Sequence, residues 1–101
     1  MTNSDHASVR GLRSTMVQSA EILGEMSTMI EALGVQLCLD PVVAGAHGAE
    51  LQAIDHTSQK LRAIADLLQA DCQVSALSNI GLDEIRVRFK HLTDYPDCRQ
   101  L

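Results

Sequence analysis

The sequence predicts an all-α protein, and three observations lead there. Hydrophobic residues make up 46% of its 101 residues, yet Tyr95 and Phe89 are its only aromatics. A core limited to Leu, Ile, Val, Ala and Met suits packed helices better than a sandwich or barrel. Two prolines and six glycines are too few turn signals for a many-stranded fold. Apolar residues also recur at alternating steps of three and four along two long segments. A chain this short forms one domain at most, 1–101, and buries only a modest fraction of its surface alone.

The polar start leads into a first helix over about residues 5–37, with Ser4 or Asp5 available as its cap. Its seam reads Leu12, Met16, Ser19, Leu23, Met26, Ile30, Leu33, Leu37, the heptad pattern of helices crossing at a shallow angle. Ser19, small and polar, lets a neighbour come close. Gly11 and Gly24 each cost about 1 kcal/mol of helix propensity relative to Ala, so packing must carry this helix. Gly34 marks its end or a weak point within it.

Asp40-Pro41 is the sharpest boundary signal. Proline at the first helical position surrenders no needed hydrogen bond, and the preceding Asp caps the free amides. A second helix is expected over about 41–71, starting nearer Ala49 if Gly45 and Gly48 loosen its first turns. Its seam reads Ala44, His47, Leu51, Ile54, Ser58, Leu61, Ala65, Leu68, and Ile64 and Leu67 widen the stripe. Two helices of about 30 residues each span roughly 45 Å and form an antiparallel hairpin. One hairpin cannot bury two faces of this width. A homodimer closing a four-helix bundle is the expected remedy, with a three-helix monomer closed by the C-terminal segment as the alternative.

That segment follows a loop-like run, Ser75 to Gly81. Leu82, Ile85, Phe89 and Leu92 then define a short helix over about 82–92 with charges elsewhere around it, and an irregular tail over 93–101. The stripe either packs on the bundle or grips a partner as a helix in a groove.

The net charge of −5 removes the basic face that nucleic-acid binding requires. No apolar run approaches the ~20 residues of a membrane span, and the N-terminus lacks an export pattern, so the cytoplasm is the expected compartment. Cys38, Cys72 and Cys98 are odd in number and lack a C-x-x-C pair, which reads as reduced thiols. The four histidines show no metal-ligand spacing. No nucleophile elbow is present.

Chemistry concentrates on the second helix. Gln52, Asp55, Gln59, Arg62 and Asp66 form a polar stripe beside the Leu51–Ile54–Ser58–Leu61 seam. Asp55 and Gln59, four residues apart, leave one face about a turn apart. As a solvated face the pair simply hydrogen-bonds to itself or to water.

The run Asp55-His56-Thr57-Ser58-Gln59, with Leu61 beyond, resembles the active-site helix of the CheZ chemotaxis phosphatases. In that family Asp and Gln flank Leu-Thr-Gly on a long helix of a dimeric four-helix bundle. Asp55, Thr57 and Gln59 match; His56 and Ser58 replace Leu and Gly, and Ile54 stands where the family has Gln. The likeness covers about five residues. The length is nearer to the short CheZ-related CheT proteins, which keep Asp-x-x-x-Gln. The resemblance implies a phosphatase acting on the aspartyl phosphate of a CheY-type response regulator. Gln59 then orients the attacking water and Asp55 pairs with the regulator's active-site lysine. Gln52, Arg62, Leu82, Ile85 and Phe89 are candidate partner contacts. Magnesium belongs to the regulator, and this chain needs no cofactor or metal of its own.

Two rival readings use the same helix. His56, with Lys60 one turn on, could accept a phosphoryl group as in histidine phosphotransfer domains, although their His-x-x-Lys-Gly pattern is absent. A dimeric helical adaptor without chemistry needs the same bundle and the same exposed polar face.

Overall fold

The computed structural model describes residues 3–96, and every regular element among them is helical. Helix α1 spans Asn3–Cys38, α2 Pro41–Ala46, α3 Gly48–Gln69, α4 Gln73–Ser78 and α5 Asp83–Arg88, followed by a 3-10 segment, Lys90–Asp94. α1 and α3 form the long antiparallel pair of a body 61 × 25 × 17 Å.

The turn between them is built as its sequence dictates. The Asp40 carboxylate accepts from the Val42 and Val43 amides at 2.9 and 3.5 Å, and Pro41 opens α2. The expected second helix is broken at His47, whose backbone leaves the helical region (φ −126, ψ 34) between Gly45 and Gly48. The long helix therefore starts at Gly48 and ends at Gln69, two residues short of its expected end. α1 begins by Asn3, so Ser4 and Asp5 lie inside it. Gly34 does not end α1. It is a point of close approach to α3, where an added Cβ would lie 3.2 Å from Ile54 Cγ2.

Half of the expected α1 seam is kept, with Met16, Leu23, Ile30 and Leu37 half-buried, and the other half is shifted by one position. Leu12, Met26 and Leu33 remain 62, 44 and 54% exposed. The positions one residue later turn inward: Ala20 and Ser27 are buried and Gly34 is half-buried. Small side chains let the two backbones come close, and large ones are displaced to the flank. At the centre, Ser27 Oγ donates to the Ser58 carbonyl at 2.9 Å and Ser58 Oγ donates to the Ser27 carbonyl at 3.1 Å. Antiparallel register then sets Ala20 opposite Ala65. Ser27, rather than Ser19, is the small polar residue at the contact.

At the other end the chain folds back on α3. Leu67, Leu77, Ile80 and Ile85 form a buried cluster, with Ala63, Ile64, Ala76, Leu82, Phe89 and Leu92 packed around it. The first half of the stretch read as loop-like, Ser75 to Ser78, belongs to α4, because Leu77 supplies a buried anchor to this cluster. The expected 82–92 helix divides into α5 and the 3-10 segment at Phe89, and that segment takes in Thr93 and Asp94 from the tail read as irregular. The tail beyond Pro96 lies outside the described residues. Arg13 ties the fold-back to α1: its guanidinium donates to the Ala70 and Gln69 carbonyls at 2.9 and 3.1 Å and to the Asp71 carboxylate at 3.2 Å. A cation at these free carbonyls also suits the α3 dipole.

Cys38 is a free, exposed thiol. Cys72 is disulfide-bonded, which corrects the reading of reduced thiols, and Cys98 lies outside the described residues. The 3-10 segment returns to α4, a fold-back that linear cysteine spacing does not reveal. Disulfides persist chiefly in oxidising compartments, so this bond bears on the cytoplasmic expectation. Among the described residues no helix is long and apolar enough to cross a membrane.

Candidate functional site

A 3.6-residue period divides α3 into four faces. Ser58 and Ala65 meet α1. Ile54, Leu61 and Leu68 lie to one side of that contact, beside the outward flank of α1. Asp55, Gln59, Arg62 and Asp66 lie to the other side. Ala63, Ile64 and Leu67 carry the C-terminal fold-back.

The polar side is a groove of about 490 Å³, within the usual range of ligand-sized clefts. Asp55, Gln59, Arg62 and Asp66 form its floor. Glu31 of α1 stands on one side, and Ala76 with Asn79 to Leu82 on the other. Within it the Gln59 side-chain amide donates from Nε2 to Asp55 Oδ2 at 2.8 Å. Both residues are exposed. Arg62 crosses to α1 and donates to Glu31 Oε2 at 3.0 Å, fixing that side. The groove thus holds carboxylates from Glu31, Asp55 and Asp66 against one guanidinium already engaged.

No family model, curated protein or solved structure matches this chain. The site is therefore read from its own geometry. Of the residues singled out in the sequence, Asp55, Gln59, Arg62 and Leu82 line one groove. Gln52 is exposed outside it. Ile85 is 2% exposed, and Phe89 packs against the same cluster. The apolar stripe of the C-terminal segment thus faces the core.

His56 lies on the neighbouring face of α3, directed to α5. Its Nε2 is hydrogen-bonded to Glu84, and Lys60 Nζ stands 3.5 Å from the same carboxylate. The hydrogen bond from His56 is the main cause holding the Glu84 carboxyl below its ordinary value; desolvation opposes it, and the nearby Lys60 charge adds to the lowering. Glu84 and Asn79 were not legible as site neighbours. They belong to the segments after α3, at the end of α4 and within α5, and only the fold-back brings them beside α3. Among the described residues no group of His, Cys, Asp and Glu is arranged to hold a metal ion.

Proposed function

We propose that this chain is a dephosphorylation factor for a CheY-type response regulator, with Gln59 positioning the attacking water. The observation that carries the reading is the Gln59–Asp55 hydrogen bond on the floor of an open groove. An aspartyl phosphate is an acyl phosphate, so a catalyst need not supply a nucleophile. Water attacks phosphorus, the bond to the aspartyl oxygen breaks, and the regulator's carboxylate leaves as inorganic phosphate forms. The amide of Gln59 keeps Oε1 and one N–H free to hold that water in line, because its other N–H is engaged by Asp55. Asp55 thus has two uses: it orients Gln59, and its carboxylate accepts a basic group of the regulator. A hundredfold acceleration requires about 2.7 kcal/mol, within the reach of positioning. Magnesium remains the regulator's. His56, the rival phosphoryl acceptor, directs Nε2 to Glu84, and a carboxylate at that nitrogen competes with phosphoryl transfer to it.

The reading includes a homodimer. Its support is the outward flank of the hairpin. Leu12, Met26 and Leu33, with Ile22 at 56% and Met29 at 71% exposure, form an apolar stripe beside half-buried Met16, Leu23, Ile30 and Leu37 of α1 and Ile54, Leu61 and Leu68 of α3. A stripe this long on a molecule 17 Å thick matches the core of a bundle formed with a second copy. The groove lies on the opposite side of the α1–α3 plane, so pairing leaves both copies of it open.

The test is loss of phosphate from phosphorylated regulators with wild type and Gln59→Ala. Wild type accelerates the loss and the variant returns it to the regulator's own rate. Unchanged decay with wild type across all candidate regulators rejects the reading. Tight binding of a phosphorylated regulator without acceleration establishes the adaptor instead.

A further inference from the structure

We infer that the C-terminal segment serves the regulator site as a fixed wall, with Asn79 to Leu82 deciding which regulator fits. The inference rests on the functional reading above and names the specificity element of that same groove. An amphipathic helix that grips a partner must offer its apolar stripe. Here the stripe is spent internally: Ile85 is 2% exposed, and Leu82, Phe89 and Leu92 pack around the cluster it shares with Leu67 of α3. The segment is held from outside as well, through Glu84 to His56 and Lys60, and through Arg13 at its root.

What the segment does offer is the edge between α4 and α5. Asn79 and Gly81 are exposed, Leu82 is half-buried, and all three line the groove opposite Glu31 with Gln59 between them. A globular partner can bring an acyl phosphate to Gln59 only by seating the rim of its own site between these two sides. It therefore touches Asn79 to Leu82 in every productive complex. The carboxylates of Glu31, Asp55 and Asp66 face that rim, and Arg62 is already bonded to Glu31. A regulator with basic residues around its phosphorylation site complements the groove, and contacts at the wall select among such regulators.

Gly81 provides a clean probe. A Cβ added there meets nothing within 4 Å, and its φ is not positive, so a side chain at this groove-lining position enters open space without straining the fold. The experiment compares wild type, Gly81→Trp and Asn79→Ala on a phosphorylated regulator that wild type dephosphorylates. Binding to the same regulator loaded with beryllofluoride is measured in parallel, and circular dichroism checks the fold. Gly81→Trp raises KM about tenfold or more with kcat within about twofold, weakens the beryllofluoride complex by a similar factor, and leaves helicity unchanged. Asn79→Ala shifts the preference between two regulators. If Gly81→Trp keeps wild-type KM and affinity, the wall is wrong and the phosphatase reading stands. If wild type accelerates no regulator, the phosphatase reading falls and the wall falls with it.

Discussion

Ile85 and Ala20 are both 2% exposed, and they are buried for opposite reasons. Ile85 is a large side chain surrounded by Leu67, Leu77 and Ile80, in a cluster one chain completes by itself. Ala20 is hidden because it is small and lies where two helix backbones approach. The large residues beside that contact, Met26 and Leu33 among them, remain in the open. The C-terminal fold-back is thus a finished core, whereas the hairpin leaves large apolar side chains on an open flank. Stability in the first region is local. In the second it depends on what covers the flank.

The largest expected effect breaks the finished core. Ile85→Ala removes a fully enclosed side chain and costs about 2–5 kcal/mol. Hydrogen exchange should register it as lost protection in α4 and α5, with α1 and the first half of α3 little changed, because those contacts are made elsewhere. Uniform loss along the whole chain would mean that the two regions fold as one unit and that the contrast is mistaken.

A smaller change in fold, with a sharp effect on assembly, comes from the unfinished side. Met26→Glu combined with Leu33→Glu places two charges on the apolar flank and leaves every buried residue in place. Sedimentation should give twice the chain mass for wild type and the single-chain mass for the variant, with the C-terminal cluster intact. A wild-type chain that sediments as a monomer at micromolar concentration would remove the second copy from the account.

The same contrast governs how much was legible beforehand. Asp40-Pro41 was readable because a cap is made by neighbours in sequence. The all-helical class and the α3 seam were readable because Ile54, Ser58, Leu61 and Ala65 keep one period throughout. The α1 seam holds at Met16, Leu23, Ile30 and Leu37 and is off by one residue at the positions between them for a physical reason: hydrophobicity favours Met26 and Leu33, while steric fit favours Ser27 and Gly34. Close packing selects for small size, which a hydropathy pattern does not weigh. α4 was hidden because Ser75, Ser78 and Asn79 outweigh Leu77 in composition, although Leu77 is the residue that reaches the core. Asp55 and Gln59 were legible because their relation is one helical turn. The groove around them was not, since Glu31 and Asn79 reach it only through tertiary structure.

The smallest effect concerns the polar tie between the two regions. Glu84 joins α5 to His56 and Lys60 of α3, and its carboxyl is held below the ordinary value of 4.5, first by the His56 hydrogen bond and then by the Lys60 charge. A carboxyl whose folded value is depressed contributes stability that is present above the unfolded value and is lost as pH falls through the folded one. The tie should therefore be intact near neutral pH and fade below 4.5. Because the groups are solvent-exposed, the change belongs to local opening of α5 rather than to global unfolding. Other carboxylates titrate in the same window, so the comparison that isolates Glu84 is between wild type and Glu84→Gln. Hydrogen exchange of the α5 amides should be less protected in the variant at neutral pH, and the two proteins should converge in acid. Equal protection at neutral pH would leave the apolar cluster as the sole fastening between α5 and α3.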